Sequence, residues 1–273
     1  MKRWASILLV LILAVVCLTG CGKDDSDTKS SRKKETAQST QKTEPAKDEQ
    51  KAEPAQSEQK TEALPSGTTA KGDIITFGRY EQDNNLDNGP EPIEWIVLNV
   101  QGGKALLISK YGLDAKPFNI KGNGTWKESS LRSWLNNEFL NGGSFNDAER
   151  TKISLTDVYS GYDQNYRLED DPYYFDPEDY KTQDYVFLLS YREAITYFPN
   201  SGARQCVVTD YAINNGADVY HKAESKVVGM WWLRTEGSMS CAEYVMENGE
   251  RSDIVENSNG TLIVRPAVWV NLQ

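Results

Sequence analysis

One α+β domain over residues 71–273 is the fold this sequence predicts, and three observations predict it. Short runs rich in aromatic and β-branched residues recur along this stretch, most plainly Met230–Gly237 (MWWLRTEG) and Ile263–Val270 (IVRPAVWV). Such runs read as strands buried on at least one face. Helical periodicity is confined to a few short segments, each opened by a capping residue. The connections between elements are long and do not alternate strictly between strand and helix, which is an α+β pattern.

The chain before residue 71 cannot join that domain. Lys2 and Arg3 precede an apolar run, Ile7–Val16, of ten residues. A bilayer span needs about 20 apolar residues, so this run reads as the h-region of a signal peptide over residues 1–20. Leu18-Thr19-Gly20-Cys21 follows at once and resembles the lipobox of bacterial lipoproteins. That resemblance implies cleavage before Cys21 and lipidation of its thiol, with diacylglyceryl and palmitate chains holding the protein to membrane lipid at the extracytoplasmic face.

Residues 21–70 hold the lipidated cysteine and a tether. Lys, Glu, Gln, Ser, Thr, Ala and Pro dominate it, so it lacks the apolar surface to offset chain entropy. QKTEPA at 41–46 recurs as QKAEPA at 50–55 and as QKTEA at 59–63. No hydrophobic face accompanies the repeat, so it is not a solenoid. As a coil of ~49 residues its ends lie roughly 40 Å apart. Removing this segment is expected to leave the melting temperature of the domain unchanged. A fall of several degrees by calorimetry would show that the segment packs on the domain.

The domain elements follow in order. Asp73–Tyr80 alternates and reads as a strand. Ile93–Val100 and Lys104–Lys110 are two more, joined at Gln101-Gly102-Gly103 as a hairpin. Thr125 and Glu128 have capping-box spacing, and Leu131, Trp134, Leu135 and Phe139 then fall on one helical face ending at Gly142-Gly143. Asn146–Thr151 reads as one helical turn and Lys152–Tyr159 as a strand. Gly161–Gln183 is an insertion. Tyr185–Leu189 is a buried strand, and Ser190 to Glu193 a second capping box whose helix Pro199 stops. Thr209 caps a last short helix ending at Gly216. Arg234 and Arg265 interrupt apolar strands, so each needs a carboxylate or carbonyl partner in the core. With Trp134 they are expected to be structural.

In this order, GDIITFGRY, IEWIVL, ALLISKYGLDAKPFN, TWKESSLRSWLNNEF, VFLLSYREA, WWLRTEG and VRPAVWVNL resemble the bacterial domain of unknown function 6273 family, across almost all of residues 71–273. The family name carries no activity. The closing pattern of a Trp-Leu-Arg strand, a small-residue strand and a Val-Arg-Pro-Ala strand is similar to the C-type-lectin-like fold of sulfatase-modifying and lectin-like domains. That implies a single domain of twisted antiparallel strands with few short helices and long loops. Sulfatase-modifying enzymes use a nearby pair of cysteines. Here only Cys241 stands in the comparable region, so that chemistry does not carry over.

Charge and motifs narrow the function. The formal net charge is −10 and falls almost wholly on the domain, which disfavours nucleic acid as a partner. The one histidine, His221, makes no metal cluster, and phosphate loop, dinucleotide fingerprint and Gly-Xaa-Ser-Xaa-Gly elbow are lacking. No cofactor and no catalytic residue is predicted. Asp83, Asn85, Asp87 and Glu94 have calcium-loop spacing, but Asn88 stands where glycine is needed and no helices flank them, so a polar loop is expected. Cys206 and Cys241 remain once Cys17 and Cys21 are assigned. In an oxidising location they are expected to form a disulfide closing ~36 residues, worth about 4 kcal/mol in the chain-entropy model.

The insertion interleaves acids with aromatics. Tyr166, Tyr173 and Tyr174, with Asp170, Asp171 and Asp176, suit a glycan or peptide surface, since tyrosine offers area at low entropy cost and carboxylates accept hydroxyl donors. Trp231 is the further ligand candidate. The sequence therefore predicts a membrane-anchored surface lipoprotein of the cell envelope with a non-catalytic extracellular ligand-binding domain. An extracytoplasmic enzyme and a structural envelope protein are the alternatives, and the oligomeric state is open.

Overall fold

The computed structural model describes residues 69–122, 124–161, 180–221, 226–236, 242–252 and 261–272. The expected signal peptide, Cys21, nearly all of the expected tether and most of the insertion lie outside them. β1 (Ile74–Tyr80) pairs antiparallel with β2 (Glu91–Gln101), which turns into β3 (Lys104–Ser109). Gly102 and Gly103 make that turn at φ 59° and 75°, left-handed values that a two-residue hairpin needs and glycine supplies without strain. β4 (Asp114–Pro117) follows.

The first helix starts later than the sequence predicts. Trp126–Glu128 is a single 3-10 turn without a side-chain cap at Thr125. The cap is Ser129, whose Oγ accepts from the Arg132 N–H at 3.0 Å, and α1 (Ser130–Trp134) runs on into a π turn over Leu135–Phe139. The apolar face is as expected: Leu131, Leu135 and Phe139 are buried, and Trp134 packs partly buried on Tyr80 and Phe139. One capping box, formed by Asn146 and Glu149, holds the start of α2 (Asp147–Lys152).

β5 (Thr156–Tyr159) and β6 (Lys181–Asp184) form a separate antiparallel pair, followed by β7 (Val186–Phe187). α3 (Tyr191–Tyr197) carries the capping box of Ser190 and Glu193. α4 (Ser201–Arg204), β8 (Cys206–Val207), α5 (Asp210–Asn214) capped by Thr209, β9 (Val219–His221) and β10 (Val227–Gly229) come next. The chain closes with β11 (Trp231–Glu236), β12 (Ala242–Val245), β13 (Arg251–Ser252), β14 (Thr261–Val264) and β15 (Ala267–Asn271).

Two five-stranded sheets, ordered β1-β2-β3-β15-β7 and β13-β12-β11-β14-β4, enclose the core, and β8-β10-β9 makes a third. Among the described strands, every pairing is antiparallel except β11 with β14, and an isolated parallel bridge joins Gly112 and Val208. The architecture is α+β, largely antiparallel, with few short helices. No helix among the described residues is long and apolar enough to cross a membrane.

The run Ile263–Val270, expected to be one strand, is two. Pro266 lacks the N–H to continue a ladder, and its carbonyl instead accepts from Ser109 N at 2.9 Å. β14 and β15 therefore enter different sheets, and this single run joins both. Arg265 lies at the crossing, 1 % exposed. Its Nε donates to Ser109 O at 3.0 Å, and its guanidinium lies over Trp231 and Phe198, 5.1 and 5.2 Å from the ring centroids. Carbonyls and aromatic faces replace a carboxylate here.

The expected disulfide is not formed at Cys206, which carries a free, fully buried thiol; Cys241 lies outside the described residues. Cys206 packs where β8 meets Gly112 and Ile263, and burial pushes its pKa up, which leaves it a protonated, inert core group.

Candidate functional site

Arg234 organises the surface that follows. Burial among β11 neighbours leaves it 3 % exposed, so each guanidinium donor needs an acceptor. Nη1 and Nη2 reach Glu193 Oε2 and Oε1 at 2.6 and 3.0 Å, a bidentate pair. Nη1 also donates to Leu188 O at 2.5 Å and Nε to Tyr159 O at 3.0 Å. The last bond ties the end of β5 to the core. Burial alone would raise the Glu193 pKa, but the Arg234 charge and its hydrogen bonds outweigh that and hold it below the usual range.

The hairpin that Arg234 pins alternates cleanly. Val158, Thr182 and Asp184 point inward and are buried. Asp184 accepts from Trp126 Nε1, Arg132 Nε and Thr182 Oγ1 at 3.0, 2.7 and 2.7 Å, so the inner side is locked. The outer side carries Asp157 and Tyr159 opposite Gln183 and Lys181, with Leu155 and Tyr185 at its rim. Tyr159 is 42 % and Tyr185 40 % exposed. Between the two rings, Gln183 Nε2 donates to Asp157 Oδ1 at 2.9 Å and Lys181 Nζ lies 3.1 Å from Asp157 Oδ2. Lys181 also sits 5.8 Å from the centre of the Tyr159 ring. Two exposed rings flanking a row of donors and acceptors is a surface that can stack a sugar or peptide group and bond its polar edges.

At the foot of this hairpin stands Glu236, the last residue of β11 and one that sequence reasoning missed. Its backbone N donates to Ser160 O at 2.8 Å, and its Oε1 accepts from Ser160 Oγ at 3.1 Å. A backbone hydrogen bond from Trp126 also reaches the carboxyl group. Burial, with a smaller push from Glu128, drives its pKa up to about 7 against these bonds. Its only sequence signal is its place directly after the Trp-Leu-Arg-Thr run.

Of the sequence-predicted ligand residues, Tyr166, Asp170, Asp171, Tyr173, Tyr174 and Asp176 lie outside the described residues. The Trp231 assignment is corrected. Its ring is fully buried, and its Nε1 is taken by Arg204 O at 3.0 Å, so it serves the core. In the calcium-like loop, Glu94 leaves for β2 and pairs with Lys110 Nζ at 2.9 Å. Glu81, Asp83 and Glu91 do converge, with oxygens within 4.8 Å of one another. Backbone N–H groups of Gln82 and Asn85 bond Glu91, Glu81 and Asp83.

Sheets of mainly antiparallel strands with few short helices define the class: an α+β domain rather than a doubly wound or helical one. Residues 102–272 match the family described as Domain of unknown function (DUF6273), and the chain belongs to that family. No curated protein and no solved structure is matched.

Proposed function

We propose that this protein is a lipid-anchored surface lipoprotein whose domain binds a glycan or peptide of the cell envelope without transforming it. The observation that carries the reading is the outer face of β5 and β6, where Tyr159 and Tyr185 stay exposed around the Asp157, Gln183 and Lys181 row. Exposed rings leave apolar area in water for a ligand to cover, and the Asp184 bonds on the inner side of the same hairpin help hold the outer face in place. The C-type-lectin-like reading rests on the closing order of elements, in which the Trp-Leu-Arg strand β11 and the short strands β12 and β13 precede the Val-Arg-Pro-Ala crossing. The formal charge of −10 favours neutral or cationic ligands over anionic polymers.

Screening the protein against a glycan array and against solubilised peptidoglycan fragments tests this. For any ligand found, Tyr159→Ala with Tyr185→Ala is expected to weaken binding about tenfold or more with an unchanged circular dichroism spectrum. Unchanged affinity in the double variant would move the site away from this hairpin, and failure to bind any glycan or peptide would count against the reading as a whole.

A further inference from the structure

Ser160 Oγ lies 3.1 Å from Glu236 Oε1 and 3.3 Å from Tyr180 O. Both oxygens can accept, and a serine hydroxyl has one proton to give. With Glu236 ionised, the hydroxyl proton serves the carboxylate, and the Tyr180 carbonyl keeps the Ser160 backbone N–H at 3.1 Å but loses the Ser160 hydroxyl. With Glu236 protonated, its O–H donates to Ser160 Oγ, and Ser160 donates onward to Tyr180 O. Both contacts are then made in one chain. That chain runs from the end of β11 through the residue after β5 to the residue before β6, so it closes the foot of the hairpin on the central sheet.

We propose that Glu236 is a proton-operated latch at the foot of the β5–β6 hairpin: neutral, it clamps the hairpin to β11; ionised, it loosens the clamp. Among the described residues, the charges around it do not rescue the ionised form. Glu128, from the 3-10 turn, is the charged group that acts on it, and it repels. Arg234, on the same strand, is committed to Glu193. Asp157 and Lys181, on the hairpin, face outward and pair with each other. Asp184 points inward and is paired with Arg132. On β12, Glu243 is paired with Arg251. Removing a half-buried carboxylate from water without a cation favours its neutral form, in accord with the raised pKa near 7.

The direction with pH follows. The clamped state holds the Glu236 proton more tightly than an open state with an ordinary carboxyl group, so clamping is strongest in acid. It weakens as pH rises from the ordinary carboxylate range to about 7 and is level above that. The latch itself does not depend on the proposed ligand; only its consequence, a face better held in mildly acidic surroundings, rests on the function proposed above.

Hydrogen exchange by mass spectrometry, corrected for intrinsic rates, reads the latch without any ligand. In the wild type, protection of peptides covering 156–161 and 180–184 is expected to fall about tenfold from pH 5 to pH 7.5, less than the full pKa difference implies because the group is partly solvated. Glu236→Gln keeps the shape and cannot ionise, so protection should stay high and flat over that range. Ser160→Ala, which breaks the chain without touching the carboxyl group, should lower protection already at pH 5. Peptides from β2 and β3 serve as the fold control. A pH dependence of the same size in Glu236→Gln, or none in the wild type, overturns the proposal, whether or not a ligand is ever found.

Discussion

Arg234→Met is expected to destabilise the domain by about 2–4 kcal/mol: the Glu193 carboxylate, 27 % exposed, loses its cation, and two carbonyls lose their donors. Methionine keeps the stem of the side chain and removes what the guanidinium supplies. Glu193 loses its bidentate partner, and Leu188 O and Tyr159 O lose their donors. The loss is a large share of a typical domain stability of roughly 5–15 kcal/mol. Urea denaturation should show a lower midpoint with an unchanged slope. The double variant Arg234→Met with Glu193→Leu should recover much of the loss, since it removes the stranded charge as well as the cation.

pH checks the same pair from another side. The folded-state pKa of Glu193 lies below its ordinary value, so the stability it contributes is present above the ordinary carboxylate range. It is lost as pH falls through the lowered folded value. The gap between wild type and Arg234→Met should therefore be widest near neutrality and narrow in acid. A cost under about 1 kcal/mol at pH 7 would mean that water reaches Glu193 and that the pair behaves as a surface ion pair.

The second large effect is expected at Cys21. Cys21→Ala should take the protein from the membrane fraction into the soluble fraction or leave a larger uncleaved precursor. Each buried methylene of an acyl chain contributes about 0.8 kcal/mol, and two or more chains anchor stably where one does not. Losing the attachment thiol loses all of them together, so the outcome is nearly all-or-none. Fractionation followed by immunoblotting reads it. A variant that fractionates and migrates as the wild type does would refute the lipobox reading.

Much of the local structure was legible in the sequence because its causes are local. Gly102-Gly103 demands a tight hairpin wherever the strands go. Ser190 with Glu193, Asn146 with Glu149, and Thr209 cap helices by bonding a backbone only three residues away. That Arg234 and Arg265 would be held by polar partners in the core followed from the cost of burying a cation. The α+β class followed from strand-like runs separated by short capped helices.

What the sequence could not decide depends on partners far along the chain. Trp231 and Tyr159 are both aromatic residues in strands, yet one is fully buried and the other 42 % exposed; the neighbours each strand meets settle that. Ile263–Val270 reads as one strand by composition, but Ser109, Leu106 and Ala115 from distant strands divide it between two sheets. Glu236 looks like an ordinary acidic residue at a strand end until Ser160, 76 positions away, comes within 3.1 Å of it. Propensity, capping and turn chemistry act over a few residues and can be read directly. Burial and a shifted pKa arise from what tertiary packing takes away from water, and only the folded chain decides which groups those are.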